Sequence, residues 1–260
     1  MQTAKQIASK TKLLDGRLCA GQLDVGQYFS LLERLVGEAD STVALDRKSL
    51  KLAFERFRDQ WWSSLPTGPS AINDAYHWPG YLPVLYECFL NWTFRSTGLT
   101  LQFFKKFDLQ AESAIVLADG FGASSAMVAT AWPECQVYAN IMGASQLQVA
   151  RRLFAELNLP NLHLVESVRP AEVVLSFETF EHFTEPEAYA GPLLPQAQVL
   201  SYTAPFAVKA HGHWPQYHGV PAEDYGKRFS KFVRSHGLVD SKKALGFSFF
   251  NGYPRLFIRP

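Results

Sequence analysis

Residues 110–260 predict an α/β fold, a mostly parallel sheet with helices on both faces and an antiparallel C-terminal strand. An all-helical region over residues 1–109 precedes it. Three observations carry this reading. After residue 110, apolar strand-like runs alternate with amphipathic runs of helical spacing. The alternation stops at two strand-like segments separated by Asn251-Gly252, a hairpin turn signal. Before residue 110 the apolar residues recur at helical spacing only.

In the first region, Ala4–Leu14, Val25–Gly37 and Ser49–Trp61 read as helices, with Asp24 and Asp46 as caps. A breaker zone, SSLPTGPSA, fills residues 63–71. An aromatic stretch follows with Tyr76, His77, Trp78, Tyr81, Tyr86 and Trp92, and a helix is expected from about Tyr81 to Thr97. Four of the six tryptophans lie between Trp61 and Trp92. This concentration fits either packing of the helices onto the second region or an aromatic cover over a substrate.

In the second region, strands are expected at Ala114–Leu117, Gln136–Ala139, Leu162–Val165, Val173–Phe177 and Gln198–Tyr202. Helices are expected at Ser125–Ala131, Ser145–Leu157, Glu185–Ala190 and Ala222–Ser235, the last closed by Gly237. Leu245–Phe250 and Arg255–Ile258 complete the pattern as the terminal strand pair.

Composition narrows the class. The chain has 260 residues, is 47% hydrophobic and carries a net charge of +1, so it can build a sizeable core and has no global pull toward nucleic acid or membrane. The pairs Lys105-Lys106, Arg151-Arg152 and Lys242-Lys243 are too small for a broad basic surface. Cys19, Cys88 and Cys135 are odd in number and lack metal or redox spacing, which points to a reducing compartment. Residues 1–10 have no apolar signal-peptide core and no run is long enough to cross a bilayer, so a cytoplasmic location is expected.

The chemistry begins at AIVLADGFGASS, residues 114–125, a buried strand running into a Gly-rich turn and a helix start. Such a turn suits the polar end of a nucleotide-like ligand. Gly120 and Gly122 let a ligand approach the backbone, and the helix from near Ser124 directs N–H groups toward a carboxylate. Tyr138-Ala139-Asn140-Ile141 ends the second strand, Glu166-Ser167 the third, and Phe177-Glu178 the fourth, which continues to Glu181-His182.

In that order the segments resemble class I S-adenosylmethionine-dependent methyltransferases of the Rossmann-like superfamily, over about residues 110–260. The resemblance implies a seven-stranded sheet and S-adenosylmethionine as cofactor. It places Asp119, Gly120, Phe121, Gly122, Ser124, Asn140, Ile141, Glu166, Ser167 and Phe177 at the cofactor. Two positions depart from the family pattern. The acid expected two residues before the first glycine is Ala118, with Asp119 beside Gly120 instead, and the ribose-binding acid is Asn140.

Glu178, Glu181 and His182 resemble clusters that hold Mg or Mn in some relatives, and they equally fit pocket lining or a structural role. His211, His213 and His218 follow the fifth strand and could supply a further ligand. His182, His211 and His213 are the candidate general bases, with Glu178 or Glu181 behind them.

The reading is methyl transfer to an oxygen or nitrogen of a small-molecule acceptor. RNA stays open through the metal-like cluster. Two alternatives stand beside it, a non-catalytic methyltransferase-like partner subunit and a nicotinamide-dependent oxidoreductase. Ser125 stands where a dinucleotide fingerprint carries its third glycine.

Overall fold

Asp46 shows how the helical region starts its elements. Its carboxylate accepts from the N–H groups of Lys48 and Ser49 at 3.0 and 3.1 Å, capping the helix that begins at Arg47. This computed structural model describes residues 25–57, 59, 80–183, 185–204, 222–245 and 254–260. The expected helix Ala4–Leu14, Asp24, the breaker zone and Tyr76–Trp78 lie outside the described residues.

The helical region contains α1 (Val25–Ala39), α2 (Arg47–Arg56), α3 (Tyr81–Cys88) and α4 (Phe94–Lys106), with a π-helical turn, Phe89–Thr93, joining the last two. The helix expected to stop near Thr97 runs to Lys106. Leu101, Phe103 and Phe104 carry its buried face onward. Thr100 Oγ1 returns to the Ser96 carbonyl at 3.0 Å and lies 2.8 Å from Ser201 Oγ in the sheet.

Helices and strands then alternate through β1 (Ser113–Leu117), α5 (Ala123–Ala131), β2 (Gln136–Asn140), α6 (Ala144–Leu157), β3 (Leu162–Val165) and β4 (Val173–Phe177). They continue through α7 (Pro186–Ala190), β5 (Val199–Thr203), α8 (Ala222–Ser235), β6 (Val239–Asp240), α9 (Ser241–Leu245) and β7 (Arg255–Ile258). The seven strands form one sheet in the order β3-β2-β1-β4-β5-β7-β6. β1 to β5 run parallel, and β7 pairs antiparallel with both β5 and β6. The expected architecture is therefore present.

One expected strand differs. Leu245 belongs to α9, and the strand before β7 is Val239–Asp240. Asp240 Oδ1 accepts from the Lys242 N–H at 2.9 Å, which turns the chain into a helix there. Residues 246–253, with the Asn251-Gly252 signal, lie outside the described residues.

Each sheet face has its own core. Ala114, Val116, Val137, Val173 and Leu175 point toward α5, α6 and the helical region, and one hydrophobic cluster runs from Phe29 through Phe94 and Phe104 to these strands. Ile115, Leu117, Val174, Leu200 and Tyr202 face α7 and α8, packing on Phe180, Tyr225 and Phe229. Period-2 alternation along β1 thus feeds both cores, as expected for a sheet covered on both faces. Tyr86 is buried and its hydroxyl donates to Glu33 Oε1 at 3.2 Å, so it packs within the helical layer. Trp92 stays 43% exposed with its ring 5.7 Å from Phe54, so the described aromatics divide between core and surface.

Candidate functional site

The chain runs from β1 outward to β3, then returns to place β4 beside β1. Consecutive connections therefore leave in opposite directions from β1 and β4. At such a switch in strand order, the crevice at the carboxyl ends is the usual ligand position in open α/β sheets. Ala118 and Glu178 are the first residues past these two strands, and both adopt left-handed backbone, at φ 47° and 53°. Such conformations cost about 1–3 kcal/mol each for non-glycine residues and concentrate at functional sites. The Glu178 N–H is fixed by the Thr203 carbonyl at 2.9 Å, which holds the turn against β5.

The Gly-rich turn is tied into the protein on every side. Asp119 Oδ1 accepts from the Ser124 N–H at 3.1 Å, and Oδ2 accepts from the Ser125 N–H and Oγ, each at 2.6 Å. The helix N–H groups expected to face a ligand carboxylate are thus already paired with Asp119. Burial pushes the Asp119 carboxyl up to about 6, outweighing these hydrogen bonds, which act in the opposite direction. The Ser124 hydroxyl lies near Asp119 but makes no aligned hydrogen bond, and it is fully buried.

The glycines serve internal packing. A Cβ on Gly120 would come within 3.0 Å of Leu85 Cδ2 on α3, and one on Gly122 within 2.7 Å of Phe154 on α6. Phe121 likewise faces the helical layer, its ring 5.8 Å from Phe89 and 6.4 Å from Tyr86. The Tyr28 hydroxyl donates to the Ala123 carbonyl at 2.6 Å. So α1 and α3 both rest on the turn.

At the end of β2, Asn140 is buried and receives a 2.7 Å hydrogen bond from the Tyr189 hydroxyl to its Oδ1. Tyr189 comes from α7 and stacks on Phe183 at 4.3 Å. The Asn140 carbonyl accepts from the Asp119 N–H at 3.0 Å, linking this corner to the glycine turn. Glu166 and Ser167 are exposed at the end of β3, while Ile141 and Phe177 are buried in core clusters.

The third component is acidic. Glu181 sits in a 3-10 turn, Phe180–His182, with 0% exposure, and neither carboxylate oxygen has a hydrogen-bond partner. Burial first, and then the nearby Glu178, hold its carboxyl well above the usual range, against the smaller opposing effect of the N–H groups of Glu181 and Thr179. Burial also raises Glu178, which is partly exposed. His182 Nε2 lies 3.7 Å from Glu181 Oε1, and its side chain is 32% exposed. Cys88 on α3 has its thiol pushed up by burial and by the charge of Glu178. Leu85 on α3 therefore reaches the glycine turn, and Cys88, one turn on, feels the charge of Glu178.

Among the described residues, no group of three or more His, Cys, Asp or Glu side chains converges to hold a metal ion. Glu178, Glu181 and His182 do not converge as such a group, although His182 Nε2 lies 3.7 Å from Glu181 Oε1. His211, His213 and His218 lie outside the described residues.

The sheet order, with antiparallel β7 between β5 and β6, decides the fold. It is the class I methyltransferase fold. No protein-family model matches the chain, and no curated protein matches it in sequence. Solved structures of this fold do. The S-adenosylmethionine-dependent methyltransferase SibL, in its apo form, is 14% identical with a TM-score of 0.47, over 91% of this chain and 77% of that one. Magnesium protoporphyrin IX methyltransferase from Synechocystis PCC 6803, with bound SAM, is 12% identical with a TM-score of 0.45, over 81% and 97%. An O-methyltransferase family protein from Burkholderia thailandensis is 15% identical with a TM-score of 0.44; the chain spans 62% of its length. These are likenesses of fold.

Within this methyltransferase fold, three residues that local pattern does not reveal complete the site. Leu85 covers Gly120, Cys88 feels the charge of Glu178, and Tyr189 holds Asn140. All three contacts join segments far apart in sequence. Among the described residues, no helix is long and apolar enough to cross a membrane.

Proposed function

We propose that the chain is a cytoplasmic transferase that moves a methyl group from S-adenosylmethionine to an oxygen or nitrogen of a small-molecule acceptor. One observation carries this reading. The crevice between β1 and β4 is entered through two strained residues, Ala118 and Glu178, with the glycine turn on one side and a carboxyl pair on the other. The net charge of +1 favours a small acceptor over nucleic acid.

The residues present fit the cofactor. Asp119, whose oxygens also accept from Ser124 and Ser125, would present a buried carboxylate to the ammonium of the methionyl end, and the unaligned Ser124 hydroxyl would present a donor to its carboxylate. Asn140 and the Tyr189 hydroxyl would hold the ribose hydroxyls, while Ile141, Glu166 and Ser167 would border the adenine. The cofactor supplies an activated methyl group. The chain's task is to align the acceptor and keep water out, which α3, with Leu85 over the glycine turn, would serve. His182, next to Glu181 and a third exposed, is the described candidate for taking a proton from the acceptor. His211 and His213 remain candidates for the same role.

Calorimetric titration with S-adenosylmethionine, S-adenosylhomocysteine and NADH tests this. Binding of the first two without NADH is expected, and binding of NADH alone overturns it. A second reading, a non-catalytic partner subunit, draws on Leu85 against Gly120 and on Asp119 holding the helix N–H groups. Binding of none of the three ligands favours that reading.

A further inference from the structure

Glu181 is the most unusual side chain in the described protein. It is fully buried, and neither oxygen is hydrogen-bonded. A buried ionised carboxylate without partners costs several kcal/mol or more, so such a group is retained neutral or paired by something that arrives later. Its neighbour Glu178 is close enough to raise it further. Glu178 is partly exposed and sits at the crevice, held by a strained left-handed backbone against Thr203. The arrangement is graded, with Glu178 at the mouth and Glu181 behind it. No Lys or Arg among the described residues forms a salt bridge to either; the recorded ion pair is His182 with Glu181, at 3.7 Å. Around them lie Cys88, Thr203 and His182. Among the described residues the two carboxyls therefore lack a firm cation, and partly exposed Glu178 gives access to one.

We propose that Glu178 and Glu181 form the receptor for a protonated amine, so that the acceptor is an ammonium-bearing small molecule. This deepens the methyltransferase reading and rests on it for the transfer step, though not for the binding. A single ammonium satisfies both carboxyls by charge-assisted hydrogen bonds. A hydroxyl acceptor brings no charge and leaves Glu181 as it is. The step balances as follows. One ammonium proton passes to Glu178, which leaves a lone pair on nitrogen. That pair forms the new N–C bond as the S–C bond breaks and its electrons stay on sulfur. The positive charge moves from sulfur to nitrogen, and the sulfur becomes a neutral thioether.

The test uses the full chain and three matched pairs of probes in calorimetry, with and without S-adenosylhomocysteine. The pairs are 1,4-diaminobutane and 1,4-butanediol, tyramine and tyrosol, and glucosamine and glucose. At least one amine is expected to bind roughly tenfold or more tightly than its alcohol, as bonds to charged groups imply. Glu178→Gln and Glu181→Gln should each weaken that amine by a similar factor and leave S-adenosylhomocysteine affinity within about twofold. Should Glu181→Gln fail to fold, the partly exposed Glu178→Gln decides alone. Equal binding of amine and alcohol, amine binding that survives the substitutions, or binding of no amine overturns the proposal. If amines bind and the homocysteine cofactor does not, the amine site stands and the transferase reading fails.

Discussion

The Tyr189 hydroxyl and Asn140 Oδ1 are joined by a 2.7 Å hydrogen bond at the end of β2. The bond brings α7 to the end of β2, and it occupies the group that departs from the family's acid. Tyr189→Phe removes one hydrogen bond, which predicts a loss of about 1 kcal/mol and a melting point lower by about 2–4 °C. Thermal unfolding of the variant checks this.

Asn140→Asp restores a charge at the same position. If the corner holds ribose hydroxyls, the carboxylate should tighten S-adenosylhomocysteine by roughly tenfold, because hydrogen bonds to charged groups are worth about 1.5–3 kcal/mol against about 1 for neutral ones. Calorimetry on the two proteins reads the difference. Unchanged affinity would place the ribose elsewhere.

Asp119 gives a pH dependence with a defined sign. Its folded pKa of about 6 stands above the unfolded value near 4. Between those values the folded chain keeps a proton that the unfolded chain has released. Stability therefore falls as pH rises through about 4 to 6, by on the order of 3 kcal/mol. Glu178 and Glu181 shift in the same direction, so Asp119→Asn should flatten the slope without abolishing it. Urea unfolding at several pH values between 4 and 7 measures it.

The two glycines of the turn should differ in their response to alanine. At Gly122, φ is 85° and the new methyl meets the Phe154 ring at 2.7 Å, so strain and overpacking add to about 2–4 kcal/mol. At Gly120, φ is 50° and the obstacle is the end of the flexible Leu85 side chain, so about 1–2 kcal/mol is expected. Adding Leu85→Ala should relieve part of the second penalty and none of the first. A double-mutant cycle by thermal unfolding gives the coupling.

Cys88 reports on the acidic pair. Its thiol is raised by burial and by Glu178, so native protein should react slowly with iodoacetamide at pH 8. Glu178→Gln should speed that reaction, with burial still limiting it. Peptide mass spectrometry after a timed quench locates the label at Cys88. A rate unaffected by Glu178→Gln would show that the charge does not reach the thiol.

The strands β1 to β5 were legible because each is an apolar run bounded by turn residues, and both sheet faces are buried. β6 was not, since two residues, Val239 and Asp240, carry no periodicity. The glycine turn was legible as a turn, but its glycines read as room for a ligand, whereas Leu85 and Phe154 fill that room. Asp119 read as a misplaced acid. In the structure it caps α5, a role that needs the turn's own curvature to bring the carboxylate back onto Ser124 and Ser125. Tyr189 on Asn140 and Cys88 near Glu178 depend on how layers stack, which no local spacing encodes.

Helix α3 touches both halves of the crevice, Leu85 lying on Gly120 and Cys88 within reach of Glu178. A ligand that pushes Leu85 aside shifts α3, and Cys88, on the same helix, shifts with it. The two halves are then thermodynamically linked. Whatever free energy the first ligand spends in shifting the helix, the second is spared, and each raises the other's affinity by the same factor. Such a protein fills its crevice in concert, and it holds either ligand alone more weakly than the pair.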